Sequence, residues 1–199
     1  MKNFKKLMIS VLAISMVLSM AACGKANTPT TVVEKQMQEL KDEKVETELS
    51  SLVSDASVAK KYGDDYKKLL KKIQDFDYEV SDEKVDGDSA TVTVKITTYN
   101  FGQAYKDMYN QVVQDANNGK ITSSTDLTSY IYKMMFQKMN ALDKKNFKTS
   151  VKVKCTKNED GDWETNIDNN SDVEDAILGG VISLSNQNAA SSKSSKTSK

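Results

Sequence analysis

The sequence contains no histidine and no arginine, so lysine supplies all 28 of its basic residues. Without histidine the chain lacks the commonest general base and the commonest ligand of transition metals. Without arginine it lacks the planar group that binds carboxylates and phosphates through two parallel hydrogen bonds. These absences exclude serine–histidine and cysteine–histidine catalysis and most zinc sites. We therefore expect no metal, no cofactor and no catalytic residue. The absences do not exclude a catalytic site built only from carboxylates or tyrosines.

Cysteine and proline are also scarce, because the chain has only two cysteines, Cys23 and Cys155, and one proline, Pro29. If Cys23 is modified, Cys155 has no partner for an internal disulfide. Cys155 lies on the apolar side of an alternating strand pattern, where a free cysteine usually acts as a small buried hydrophobic residue. We predict that Cys155 is buried and unreactive.

The first residues have the pattern of an export leader. Lys2, Lys5 and Lys6 precede an uncharged, mostly apolar run over 7–20, which is short for a membrane span. Small residues then lead to a cysteine in Met20-Ala21-Ala22-Cys23. This pattern resembles the lipobox of bacterial lipoproteins, although methionine stands where leucine is more common. The alternative is an ordinary secretory signal with an incidental cysteine.

The resemblance implies that the leader is removed and that the thiol of Cys23 is joined to diacylglycerol. The protein would then be held by lipid on the outer face of the bacterial cytoplasmic membrane, exposed to the cell exterior. This divides the chain into a leader (1–22), a spacer after the lipidated cysteine (23–29), one domain (30–184) and a tail (185–199). The tail is rich in serine and lysine, so we expect it to be disordered.

The domain is mildly acidic. With the leader and the tail set aside, 22 lysines face 28 acidic residues, a net charge of −6. Affinity for nucleic acid comes from clustered cations. We therefore expect no nucleic-acid partner.

Hydrophobic periodicity predicts both helices and strands. Apolar residues recur at helical spacing over 31–42, 45–53, 62–73, 105–116 and 125–142, and they alternate with polar residues over 76–80, 90–97, 147–156 and 163–167. Turn residues join each strand pair into a hairpin. The capping-box pattern at Thr31–Glu34 predicts one helix start, and that at Ser171–Glu174 predicts a short helix ending at Gly179 and Gly180.

Helices followed by two hairpins, with two helices inserted between them, indicate an α+β fold. We expect a curved antiparallel sheet, cone-like in shape, packed on the N-terminal helices. The order resembles that of the cystatin-like cone fold of nuclear transport factor 2, ketosteroid isomerase and uncharacterised lipoproteins of Gram-positive bacteria. The strand Ala90-Thr91-Val92-Thr93-Val94, the strand bearing Trp163 and the helix end Ala176–Gly180 carry the resemblance. It implies no catalytic residues.

The concave side of such a sheet, closed by helices, is the expected ligand pocket. Aromatic residues expected near it combine apolar area with a polar tip: Tyr99, Tyr105, Tyr109, Tyr130 and Trp163. The same residues also fit the spacing of core positions. An isomerase-like site would instead need a carboxylate base from Asp75, Asp77 or Asp107 and a tyrosine donor, Tyr99 or Tyr130.

These observations predict a cell-surface lipoprotein that is not an enzyme and that binds a small ligand or an envelope protein. One alternative is an isomerase-like or hydratase-like enzyme that uses a cavity carboxylate. A second alternative is a structural envelope protein whose lysine- and serine-rich tail contacts anionic wall polymers.

Overall fold

The computed structural model describes residues 27–42 and 56–194. The leader, Cys23 and the helix expected over 45–53 lie outside these residues, as does the end of the tail from residue 195. What the sequence predicts for those segments stays a prediction.

Six helices and four strands make up the described part of the chain. The helices are α1 (Pro29–Asp42), α2 (Ala56–Gln74), α3 (Phe101–Asn117), α4 (Leu127–Asn140), α5 (Ser171–Ile177) and α6 (Val181–Ser194). The strands are β1 (Asp77–Asp86), β2 (Ser89–Thr98), β3 (Phe147–Lys157) and β4 (Trp163–Thr165). A short 3-10 turn over Ile167–Asn169 follows β4, where the sequence predicts continued strand.

The four strands form one antiparallel sheet in chain order, each paired with the next. β1 and β2 join at Gly87, whose φ of +58° lies in the region that favours glycine. β2 and β3 pair along their whole length, from Ser89 opposite Thr156 to Thr98 opposite Phe147. The sheet is curved and does not close into a barrel. The predicted α+β fold with a cone-like sheet is confirmed.

Alternation along the strands gives the sheet one buried face and one exposed face. The inner face carries Ala90, Val92, Val94, Ile96, Val151, Val153 and Cys155, all buried. Helices α1 and α5 pack against this face, while lysine and threonine side chains fill the outer face. Cys155 is 1% exposed, and burial raises the pKa of its thiol. The prediction that Cys155 is buried is therefore confirmed.

Two helices, α3 and α4, form the insertion between β2 and β3 and pack against each other. The side chain of Asn100 caps α3 by accepting from the backbone N–H of Gln103 at 2.9 Å. Asp126 caps α4 by accepting from the N–H of Ser129 at 3.1 Å. A start near residue 125 or 126 is what the sequence predicts.

The first helix starts earlier than predicted. The hydroxyl of Thr28 accepts from the backbone N–H of Thr31 at 3.2 Å, which makes Thr28 the cap. Pro29 occupies the first helical position, where its missing N–H leaves no hydrogen bond unmade. The capping box predicted at Thr31–Glu34 is wrong, because Thr31 already lies inside the first turn of α1.

The cap of α5 also differs from the prediction. The side-chain oxygen of Asn170 accepts from the N–H groups of Asp172 and Val173, at 3.0 and 3.2 Å. The capping box predicted at Ser171–Glu174 is therefore wrong, because Asn170 is the cap and the third helical position is Val173, which has no carboxylate to reach back. Asparagine and serine are equally good caps, so composition alone does not choose between them.

Helix α6 extends into the segment that the sequence assigns to a disordered tail. Asp175 accepts from the N–H groups of Ile182 and Ser183, at 2.8 and 3.2 Å, and so caps the start of α6. The helix then continues to Ser194. Within it, Ser185 is buried and its hydroxyl donates to the backbone oxygen of Ile182 at 2.9 Å.

Candidate functional site

An open groove crosses the sheet at the end where β1 and β3 begin, with a volume of about 480 Å³. It is lined by Asp77, Tyr78, Glu79, Lys95, Thr97, Lys148, Thr149 and Ser150. Three neighbouring strands supply these residues, because Asp77 lies opposite Thr97 and Thr97 lies opposite Lys148. The groove is polar and carries both signs of charge. It lies along the exposed face of the sheet, whereas the sequence predicts a pocket closed by helices.

A group of six side chains, here called the Asp75 cluster, adjoins the groove through Asp77. Its members are Lys41, Lys72, Asp75, Asp77, Tyr99 and Lys145. The ammonium of Lys145 donates to Asp75 Oδ1 at 2.6 Å and to Asp77 Oδ2 at 3.2 Å. The hydroxyl of Tyr99 donates to Asp75 Oδ2 at 2.8 Å. The structure thus joins Asp75 to Tyr99, a carboxylate and a donor that the isomerase-like hypothesis requires.

Two further lysines complete the cluster. Lys41 Nζ lies 3.9 Å from Asp77 Oδ1. Lys72 Nζ lies 4.4 Å from the centre of the Tyr99 ring, a cation–π distance, and donates to the backbone oxygen of Leu142. The three lysines come from α1, α2 and the loop after α4, so the cluster ties three segments to the start of the sheet.

The electrostatics of the cluster oppose acid–base chemistry. Burial raises the pKa of Asp75, but the hydrogen bonds from Lys145 and Tyr99 outweigh it and hold that pKa below its usual value. The hydrogen bond to Asp75 raises the pKa of the Tyr99 hydroxyl. A carboxylate with a lowered pKa is a weak base, and Asp75 is half exposed. The arrangement suits ion pairing and polar binding better than proton abstraction.

The five aromatic residues predicted to line one pocket lie in separate places. Tyr99 belongs to the Asp75 cluster, whereas Trp163 pairs with Lys157 at the far end of β3. The two ends of β3 are roughly 30 Å apart at about 3.3 Å per residue. Tyr99 and Trp163 therefore cannot contact one compact ligand.

The other three tyrosines lie on the inserted helices. Tyr105 is buried and Tyr109 is 42% exposed, although both are on α3. Tyr130, on α4, donates to Asp115 Oδ2 at 2.6 Å. The third candidate carboxylate, Asp107, accepts from Gln103 at 2.7 Å on the exposed side of α3. None of these contacts involves the groove.

Asp115 is a buried carboxylate that the sequence does not single out. It is 3% exposed and accepts from Lys120 at 2.8 Å, Tyr130 at 2.6 Å and Gln111 at 3.2 Å. The hydrogen bonds from Lys120 and Tyr130 hold the pKa of Asp115 below its usual value. Because its oxygens are already occupied, Asp115 fixes the end of α3 to α4.

A second, much smaller space is a crevice of about 10 Å³, lined by Leu40, Ile167, Asp168, Val173, Glu174 and Ile177. This is room for about one water molecule and excludes an organic substrate. Burial raises the pKa of Asp168, and burial together with Asp175 raises that of Glu174. One oxygen of Glu174, Oε1, is buried without a hydrogen-bond partner among the described residues.

Glu174→Gln is expected to raise the free energy of unfolding at pH 7 by about 1 kcal/mol, because it removes a poorly solvated charge. The raised pKa means that the folded state holds its proton to higher pH than the unfolded state does. Wild-type stability therefore falls as the pH rises above the usual glutamate value of 4.5. Urea unfolding at several pH values checks this.

The gain from Glu174→Gln should disappear below about pH 4, where glutamate is protonated in both states. Glu159→Gln, at an exposed position, is the matched control and should change stability little at either pH. A gain for Glu174→Gln that is the same at pH 3 and pH 7 would show that its charge is not the cause.

Residues 27–42 and 56–194 contain no group of three or more carboxylates or cysteines placed to hold a metal ion. Within the same ranges, no helix combines the length and the apolar character that crossing a membrane requires.

Comparison with solved structures finds a likeness to the crystal structure of a Bacillus subtilis protein, ycdA, proposed to be a lipoprotein. The two are 11% identical, with a TM-score of 0.40, and the match covers 73% of this chain and 46% of that one. The chain thus matches less than half the length of that protein, and a TM-score this low carries no argument about function. No protein-family model matches the chain, and no curated protein matches it.

Proposed function

We propose that this chain is a lipoprotein anchored through Cys23 to the outer face of a bacterial cytoplasmic membrane, and that its domain is a binding module without catalytic activity. The observation that carries the proposal is the leader over 1–22 with Cys23 directly after it, close to the first described residue, Asn27. The finer resemblance to lipoproteins with a nuclear-transport-factor-2-like domain belongs to the same proposal. The binding partner would be a small ligand or an envelope protein.

The distance from the cysteine to the fold supports an orientation for the domain. The fold has begun by Asn27, whose side chain accepts from the N–H of Trp163 and donates to its backbone oxygen. From Cys23 to Asn27 an extended chain spans at most about 14 Å. A lipid on Cys23 would therefore hold the β4 end of the sheet near the membrane, with the groove up to roughly 30 Å farther out.

The β4 end of the sheet, which would face the membrane, would gain little binding affinity from contact with the lipid headgroups. The two turns there, over 86–88 and 158–162, carry five exposed acids: Asp86, Asp88, Glu159, Asp160 and Asp162. Acidic side chains are repelled by an anionic membrane. In this proposal the acyl group alone holds the protein at the membrane.

Cys23→Ser is expected to move the protein out of the membrane fraction, because serine cannot accept the thioether-linked diacylglycerol. The readout is the share of protein in the detergent phase after phase separation, which should fall from nearly all to nearly none. Cys155→Ser is the matched control, since the buried thiol of Cys155 plays no part in anchoring. Equal partitioning of Cys23→Ser and wild type would remove the basis of the proposal.

The binding role rests on the outer face of the sheet. A polar groove with both signs of charge and a neighbouring ion-pair cluster favour a charged, polar partner. The isomerase-like alternative has less support, because Asp75 pairs with Lys145 and has a lowered pKa.

A further inference from the structure

The outer face of β3 carries three lysines, here called the lysine row: Lys148, Lys152 and Lys154. All three are exposed, because alternate residues of a strand project to the same side. Along the strand, Lys154 lies about 7 Å from Lys152, and Lys148 lies about 20 Å from Lys154. The rigid ladder with β2 fixes this spacing, since Thr97, Thr93 and Thr91 lie opposite these positions.

The charges of the lysine row are not neutralised within the described ranges of the chain. None of the three lysines forms an ion pair there. The acids beside the groove have other partners, because Asp77 contacts Lys145 and Glu79 lies 3.4 Å from Lys95. Glu164 on β4 accepts from Asn158 at 2.7 Å. The net charge of −6 for the chain without its leader and tail is therefore compatible with a cationic strip on one face of the sheet.

Hydroxyl groups flank the strip and can donate hydrogen bonds to an anion. Thr91, Thr93 and Thr97 line β2 on the same face, and Ser150 lies between two of the lysines on β3. The groove lies at the distal end of the strip, where Thr97, Lys148 and Ser150 belong to its lining. Cations and hydroxyls thus lie side by side over an extended and open surface.

We propose that the lysine row binds a linear polyanion, a flexible chain with regularly repeated phosphate or carboxylate groups. A strip roughly 20 Å long is too extended for one small anion, whereas a flexible polymer can place a charged group at each of the three lysines. The outward-facing residues of β2 and β3 include no aromatic side chain, so the surface offers no platform for stacking nucleic-acid bases. The strip would therefore recognise repeated charge.

This inference takes only the location of the protein from the proposed function. A domain anchored by lipid on the outer face of the membrane would meet polymers outside the cell. Its test uses unacylated protein, so it can fail or succeed independently of anchoring. The protein for the test is the mature chain from residue 23 carrying Cys23→Ser, which retains every residue that the structure describes.

The probe is long-chain linear polyphosphate, with inorganic phosphate as the monomeric comparison, and binding is measured by titration calorimetry between 20 and 200 mM salt. We expect polyphosphate to bind at low salt and inorganic phosphate not to bind. The logarithm of the association constant should fall against the logarithm of salt with a slope of about −2, as three neutralised charges predict. Absence of polyphosphate binding at the lowest salt would overturn the proposal.

The triple variant Lys148→Gln/Lys152→Gln/Lys154→Gln should weaken polyphosphate binding at least tenfold and flatten the salt dependence. The matched control is Lys67→Gln/Lys68→Gln/Lys71→Gln on α2, where exposed lysines are interspersed with Asp64 and Asp65. It removes the same charge and should change binding less than twofold. Equal losses in the two variants would overturn the proposal, because binding would then follow net charge alone.

Vesicles of phosphatidylglycerol and phosphatidylcholine distinguish a polymer from a lipid surface. We expect the unacylated protein to bind polyphosphate and not to sediment with these vesicles. Sedimentation that needs the lysine row, without polyphosphate binding, would overturn the proposal in favour of a membrane contact. The far-ultraviolet circular dichroism of both triple variants should match wild type, since every substituted lysine is exposed.

Discussion

Gly179→Ala is expected to lower the free energy of unfolding by about 2–5 kcal/mol. Gly179 has a φ of +58°, where a side chain costs about 1–2 kcal/mol. A Cβ there would also lie 2.3 Å from the backbone oxygen of Tyr99 and 2.8 Å from the nitrogen of Phe101. These backbone atoms start α3, so relieving the overlap adds about 1–3 kcal/mol.

A hydrogen bond from α3 to Gly179 shows the same close approach of the two backbone segments. The N–H of Gly102 donates to the backbone oxygen of Gly179 at 3.0 Å, which ties the start of α3 to the link between α5 and α6. Gly119→Ala is the matched control, because Gly119 has a φ of +73° with nothing within 4 Å of a Cβ. It should lose only about 1–2 kcal/mol in urea unfolding. Equal losses at the two positions would mean that the close approach has no energetic importance.

Phe136→Ala is expected to lower the free energy of unfolding by about 3–5 kcal/mol, because it leaves a cavity between α2 and α4. Phe136 is 2% exposed and lies in an aromatic cluster. Its ring centre is 5.6 Å from that of Tyr62, 6.3 Å from that of Tyr66 and 6.4 Å from that of Tyr132. Urea unfolding followed by circular dichroism measures the loss.

Leu127→Ala is the control for Phe136→Ala, since the sequence places Leu127 on the apolar face of the same helix. In the structure Leu127 is 47% exposed, so its truncation should cost less than about 1 kcal/mol. A loss at Leu127 as large as that at Phe136 would contradict the packing described for α4.

The strands could be predicted well because alternation has a physical cause that acts locally. Val92 and Val94 are apolar, Thr91 and Thr93 are polar, and one face of the sheet is buried, so the pattern fixes both the strand and its orientation. The residues at which the helices start are harder to predict from the sequence. Thr28 and Thr31 have the same side chain, and Pro29 after Thr28 is the signal that identifies the true cap.

The candidate site could be predicted only in part. The sequence names Asp75 as a possible carboxylate and Tyr99 as a possible donor, but only the fold brings the end of α2 to the end of β2. Lys145 lies in a polar loop and has no periodic signal, although it forms two of the contacts in the cluster. The groove depends on strand register across three strands, which no local pattern of residues contains.

Helical spacing also predicts the buried residues of the inserted helix α4 only in part. Phe136 falls outside the apolar face that helical spacing predicts for α4, which consists of Leu127, Ile131, Met134, Met135, Met139 and Leu142. The helix contacts both α2 and α3, so it buries more than one side. A helix packed between two neighbours buries apolar residues beyond one face, and Phe136 is such a residue.

Lipid attachment at residue 23 decides whether the protein is held at the membrane, and mass spectrometry of the protein isolated from its own membranes tests this attachment directly. We predict that the N-terminal fragment begins at Cys23 and carries the mass of diacylglycerol on its sulfur. A fragment that still begins at Met1, or one with a free thiol on Cys23, would contradict the account.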